Sequence, residues 1–196
     1  PIDEAMQNNV SRHDLVDMMT FDRVEFEKNI SLSVKKKMKF ESKWELKKLG
    51  EICEIYQPKT ITSQEIQNEG EYKVYGANGI IGFYNKFNHE DSEIAITCRG
   101  ATCGTINYTE PKSWITGNAM ITKPKNENLG KKYLYYLLKN SDLKEVITGT
   151  AQPQITRTNL EVFQIPLPPI DIQQKIVSEI EVLEAKEKKA KEEVEK

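Results

Sequence analysis

Apolar and polar residues alternate in short bursts along most of this chain, and glycine, asparagine or proline closes most bursts. Tyr72-Lys73-Val74-Tyr75 alternates with a period of two, which predicts a half-buried strand. Gly76-Ala77-Asn78-Gly79 is a turn signal, and Ile80 to Tyr84 resumes the strand pattern. Further strands are expected at Glu93–Thr97, Thr105–Tyr108, Trp114–Thr116 and Ala119–Thr122. The period lengthens at Lys131–Leu138, which reads as a helix, and a second short helical stretch covers Ser141–Val146. This order implies a mixed α+β domain of many short strands and small helices, not a βαβ repeat.

A different texture follows. Gly149-Thr150-Ala151-Gln152-Pro153-Gln154-Ile155-Thr156-Arg157-Thr158 is polar and loop-like, with Gly149 freeing the backbone and Pro153 restricting it. The short apolar strand Phe163–Leu167 ends at Pro168-Pro169, because proline cannot donate to a sheet ladder. Asp171 is then the expected helix N-cap, with Gln174 as its capping-box partner. Ile172, Ile176, Ile180, Leu183, Ala190 and Val194 fall at three- and four-residue spacing, with Glu187 interrupting the stripe, the seam of a long coiled-coil-type helix. That seam has two possible partners, its own domain or a second copy or second domain. The polar distal half favours the latter.

Composition adjusts this picture only in part. The 196 residues suit one domain plus an appendage, divided as an N-terminal helical and linker segment (1–40), a globular domain (41–170) and a helix (171–196). Val10–Met19 is the helical-looking part of the first segment, and Lys35–Lys39 is a charged tether or a phosphate-contacting arm. The chain begins at Pro1, which suggests an excised fragment. No apolar run reaches the roughly 18 residues that cross a bilayer. Cys53, Cys98 and Cys103 lack C-x-x-C spacing and read as reduced structural thiols of a cytoplasmic protein. His13 and His89 offer no ligand-like spacing for zinc. The net charge of -2 does not advertise nucleic-acid binding. Residues 171–196, however, carry six lysines and eight acids, which leaves 22 of each sign before them. A nucleic-acid contact would need a locally basic face.

Trp44-Glu45-Leu46-Lys47-Lys48-Leu49-Gly50-Glu51-Ile52 and the loop-strand-Pro-Pro-helix order of 149–176 together resemble the target recognition domain of type I restriction–modification specificity subunits. Tyr75–Ile80, Arg99-Gly100-Ala101 and Gly117-Asn118-Ala119 recur in many such domains in the same order. Phe21–Phe26 is similar to the tail of adenine methylases fused to a specificity region. The resemblance covers roughly residues 44–190 and implies a DNA-reading module with Trp44 as a core anchor. It also implies a spacer helix that pairs with a second recognition domain or a second copy. The expected partners are double-stranded DNA and a DNA methyltransferase subunit or fused domain. No cofactor is expected on this chain; S-adenosylmethionine would sit on the methylase.

Within that frame the DNA-contacting candidates are Tyr75, Asn78, Arg99, Thr102, Asn118, Gln152, Gln154, Arg157 and Thr158. Glutamine suits bidentate bonding to adenine, and arginine suits guanine or phosphate. Each has a plainer alternative. Glycine and asparagine at 76–79 serve turn geometry, Arg99 could bond an internal carboxylate, and Thr156–Thr158 could buttress the fold. Catalytic motifs are missing: there is no Asn/Asp-Pro-Pro-aromatic sequence, Walker loop or G-x-S-x-G elbow. The Glu-x-Lys pieces at Glu41–Lys43 and Glu71–Lys73 are expected by chance in so charged a chain. A non-catalytic scaffold for methylase subunits, with a degenerate DNA surface, is the competing reading.

Overall fold

The computed structural model describes residues 43–77, 79–149 and 152–194. The expected N-terminal segment 1–40, including Phe21–Phe26 and Lys35–Lys39, lies outside the described residues, as does Asn78.

The chain opens with strand β1 (Leu46–Lys48), the one-turn helix α1 (Leu49–Ile52) and strand β2 (Cys53–Tyr56). Next come β3 (Tyr72–Gly76), β4 (Gly79–Tyr84), β5 (Ile94–Thr97), β6 (Ile106–Tyr108), β7 (Trp114–Ile115) and β8 (Ala119–Pro124). Helix α2 (Lys131–Lys139) and a 3-10 turn at Leu143–Val146 lead to β9 (Ile147–Thr148) and β10 (Gln154–Ile155). Helix α3 (Arg157–Glu161), β11 (Gln164–Pro166) and the long helix α4 (Ile170–Val194) complete the fold. It is a mixed α+β architecture with a long C-terminal helix.

The central sheet runs β2-β8-β5-β6, all antiparallel, and a smaller sheet runs β4-β3-β7 with β3 and β7 parallel. All four residues of β5 are buried because both of its faces are covered. Ile94 and Ile96 pack into the larger core with Leu49, Leu134, Leu138, Leu160 and Ile165. The intervening Ala95 belongs to a second cluster with Tyr75, Ile115, Ala119 and Ile121. This alternation is the two-residue period of a strand, with apolar partners on either side.

Two strand pairs connect remote parts of the chain. β1 pairs with β11 from Leu46↔Pro166 to Lys48↔Gln164, so the domain's first and last strands lie together. Trp44 sits just outside that pair and is half-buried, with the Lys43 ammonium 4.7 Å over its ring. The fully buried anchor of this opening is Leu49 rather than Trp44, since the chain turns inward where α1 begins.

The junction into α4 differs from the expected cap. The helix starts at Ile170, and the N–H groups of Ile172 and Gln173 donate to the Pro169 carbonyl. Asp171 lies in the first turn, where its charge favours the helix dipole, and Gln174 stays exposed. Gln173 makes the junction instead. It is 1% exposed, its Oε1 accepts from the Gly130 N–H (2.8 Å), and its Nε2 donates to the carbonyls of Asn128 (2.8 Å) and Pro168 (2.8 Å). Tyr133 reinforces the contact by donating to the Pro166 carbonyl at 3.0 Å.

The proximal part of α4 follows α2. Ile176 and Val177 pack on the larger core, Lys132 pairs with Glu181, and Tyr136 donates to Glu184 at 2.7 Å. Ile172 and Ile180 are half-buried. Beyond them Val182 and Leu183 are 53% and 63% exposed, Ala190 is exposed, and the side chain of Val194 lies outside the described residues. The proximal seam therefore serves its own domain, and the distal seam is open among the described residues.

Replacing Gln173 by alanine strands one buried N–H and two carbonyls. The Gln173→Ala substitution is expected to cost about 2 kcal/mol or more in denaturant unfolding; an unchanged midpoint would refute the bridging role. Burial pushes the Cys53 thiol up to about 12, so Cys53 should resist alkylation at pH 8 in the folded protein. Rapid native-state labelling, read by peptide mass, would contradict that burial.

Candidate nucleic-acid interface

Three loops and the end of one strand converge beside β5. The chain leaves β5 through buried Cys98, turns outward at Arg99 and reverses at Gly100, whose φ is +87°. The Cys98 N–H and Sγ both bond the Asn118 carbonyl, at 3.0 Å and 3.2 Å. This ties the Gly117-Asn118 turn to the Arg99 loop. On the other side the Ile155 N–H donates to the Cys98 carbonyl (2.9 Å), and the Gly100 N–H donates to the Pro153 carbonyl (3.0 Å). The β9–β10 hairpin is thereby stapled antiparallel to the Arg99 loop, with Arg99 opposite Gln154. Gly149, at φ +83°, makes that hairpin possible; a Cβ there would stand 2.6 Å from the Gln152 carbonyl oxygen.

The backbone groups at the centre of this junction thus bond one another, and several side chains project outward. Arg99, Asn118, Gln154 and Arg157 line two adjoining hollows of about 270 Å³ and 320 Å³. Four of the nine candidates are brought together here. Among the described residues no carboxylate pairs with Arg99, which removes the internal-carboxylate alternative there. Arg157 is more constrained, since its Nε donates to Glu161 at 2.7 Å along α3. Thr156 caps that helix, accepting from the Asn159 N–H at 3.2 Å, so this part of the loop does buttress the fold while presenting its arginine.

The remaining candidates fall elsewhere. Gln152 and Thr158 are exposed, on the β9–β10 loop and in the first turn of α3. Thr102 is half-buried and donates to the Ala77 carbonyl at 3.4 Å, where Thr97 also donates. These hydroxyls pin the β3–β4 turn against the Arg99–Gly104 turn. Tyr75 is a correction. It is 6% exposed between the two sheets, and its hydroxyl accepts from the Glu110 N–H at 3.1 Å, so it is a core residue with a satisfied polar tip. Asn78 lies outside the described residues.

One lining residue was not singled out from sequence. Gln57 follows β2, borders both hollows and donates through Nε2 to the Gly117 carbonyl. Its sequence signal is slight: a polar residue between a strand and Pro58. Tyr56, beside it, donates to His89 Nε2 at 3.0 Å, while His89 Nδ1 donates to Asn88 Oδ1 at 2.6 Å. Asn88 Oδ1 also accepts from the Ile115 N–H, which fixes this tautomer. Burial first, then Lys123 and Lys131, holds the His89 pKa below its ordinary value. Among the described residues no group of His, Cys, Asp and Glu is placed to hold a metal ion.

Sequence comparison identifies the family. Residues 41–196 fit the family described as the type I restriction modification DNA specificity domain. The chain belongs to that family. A provisionally named type I specificity subunit of Mycoplasma pneumoniae is 29% identical over 134 residues, covering 65% of this chain and 44% of the relative. The type I restriction enzyme MpnII specificity subunit of the same organism is also 29% identical, over 64% of this chain and 39% of its own length. The crystal structure of a type I restriction–modification S subunit from M. genitalium superposes with a TM-score of 0.65. It is 19% identical, over 77% of this chain and 41% of that one, a likeness of fold. This specificity-domain chain spans less than half the length of these relatives.

Arg99 has no ion pair to lose within the described domain. Arg99→Ala should leave unfolding free energy within about 0.5 kcal/mol of wild type, the usual range for a surface change. A loss above roughly 2 kcal/mol in denaturant titration would make Arg99 a structural residue instead.

Proposed function

We propose that this chain reads one half of a bipartite duplex DNA target for a type I-like restriction–modification system. The observation that carries the reading is the convergence of Arg99, Asn118, Gln154 and Arg157 from three chain segments onto one concave surface. Their residue types match what DNA offers. Arginine forks fit guanine or phosphate, and the Gln154 amide fits adenine. Phosphate contacts would set register and affinity, while the amides discriminate bases.

The remaining parts complete the proposal. The open distal face of α4 would pair with a second recognition domain or a second copy, and so fix the spacing between half-sites. The methylase, as subunit or fused domain, would carry S-adenosylmethionine and flip the target adenine. This chain would contribute recognition and no catalytic group. Such work on cellular DNA would be done in the cytoplasm. Among the described residues no helix is long and apolar enough to cross a membrane.

The test is duplex binding by the full chain with the methylase of its own system, across a salt series. The double variant Arg99→Ala/Gln154→Ala should lose roughly 10-fold or more in discrimination between cognate and unrelated duplexes. Its log–log salt slope should also flatten, by about 0.9 for each phosphate contact removed. Unchanged discrimination and modification in that variant would leave the chain as an assembly scaffold.

A further inference from the structure

Neighbouring residues of a regular strand face opposite sides of the sheet, and β4 departs from that rule. Its pairing with β3 shifts register at a bulge, with Val74 opposite Gly82 and Tyr75 opposite Ile80. Ile81 is the extra residue. Ile80 and Ile81 are 49% and 45% exposed although they adjoin in sequence, as a bulge that re-aims side chains allows. Gly76 makes room for this arrangement, since a Cβ there would stand 2.8 Å from two carbons of the Ile81 side chain. The other large apolar side chains exposed among the described residues lie on β1, on α4 or just before β11. The isoleucine pair is instead tied to the cleft. The Ala77 carbonyl, in the turn between β3 and β4, accepts from the hydroxyls of Thr97 and Thr102. Those two threonines flank Arg99, so the ledge made by Ile80 and Ile81 adjoins the loop that carries the cleft's free arginine.

We propose that Ile80 and Ile81 are specificity-determining residues that cover the 5-methyl group of a thymine in the half-site. The inference rests on the DNA-reading function above. Strand β4, Gly-Ile-Ile-Gly-Phe-Tyr, carries no charge and no amide side chain, so it offers phosphates and polar base edges little. The thymine methyl is the apolar feature of the major-groove edge, and apolar side chains recognise it by contact. That is the groove in which the arginine and amide side chains of the adjoining cleft find their matches. Isoleucine is branched at Cβ and stiff about χ1, so ordering the ledge on binding costs little.

The experiment first selects the preferred duplex from a randomised library with the full chain and its methylase. Each thymine of that duplex is then replaced in turn by uracil, which keeps every hydrogen bond and removes only the methyl group. Wild-type binding should weaken by roughly 4-fold at one thymine, about what burying one methyl provides. Ile80→Ala/Ile81→Ala, checked for unchanged thermal unfolding, should bind the thymine and uracil duplexes equally. Its selected sequence should lose the preference for that A·T pair and keep the others. Uracil without effect on wild type at every position overturns the assignment. An equal uracil effect in wild type and the double variant overturns it too, because the methyl is then read elsewhere. A double variant that no longer holds the methylase makes the ledge a protein-docking surface and overturns it as well. A wild-type complex that enriches no sequence overturns the DNA-reading function, and this assignment with it.

Discussion

A glutamine sealed inside the domain fixes the direction of the long helix. Burying a primary amide is costly unless its donors and acceptor are satisfied. Gln173 meets that condition with one backbone N–H and two backbone carbonyls, all at 2.8 Å. Two of its partners, Asn128 and Gly130, lie in the turn that precedes α2; the third, Pro168, ends the strand segment before α4. The start of α4 is therefore bonded to both structures it must align with. Rotating the helix by one residue would break all three bonds together. The ion pairs and the Tyr136–Glu184 bond further along add little energy where they are exposed, and they extend a direction already set at Gln173.

The same arrangement separates rigid from adaptable parts of the molecule. The central sheet is packed on both faces, and β1 meets β11 at the base of the helix. The cleft is carried on loops, yet those loops are bonded to one another through Cys98, Gly100 and Ile155. Side chains can thus differ without disturbing the scaffold, which suits a module whose target is set by surface residues. Burial keeps the Cys98 thiol above its ordinary pKa, consistent with a packing and hydrogen-bonding role beneath the cleft.

Much of this was legible in the sequence, and the failures have physical causes. Strand periods located β3, β4, β5 and β8, and the apolar run at 131–138 located α2. Arg99 stood out because an arginine beyond an apolar strand needs a partner. Tyr75 was misplaced because it alternates correctly but lies between two sheets, and periodicity cannot show that the second sheet exists. Trp44 was named as the core anchor by its likeness to the family's entry motif, although Leu49 supplies the fully buried contact. Gln174 matched a capping pattern, whereas the buried amide is one position earlier, opposite a turn 43 residues away. Gln57 was invisible because its role depends on Gly117, 60 residues distant, and no local pattern encodes that contact.

On this reading, duplex DNA lies against the surface made by the Arg99, Gly117-Asn118 and Gln152–Thr156 loops. The decisive measurement is photocrosslinking of the full chain with its methylase to duplexes carrying 5-iodouracil at successive positions. Crosslinked peptides are expected from these loops and from the segment around Gln57. Crosslinks confined to the outer face of α4, or to the α2 side of the domain, would contradict it.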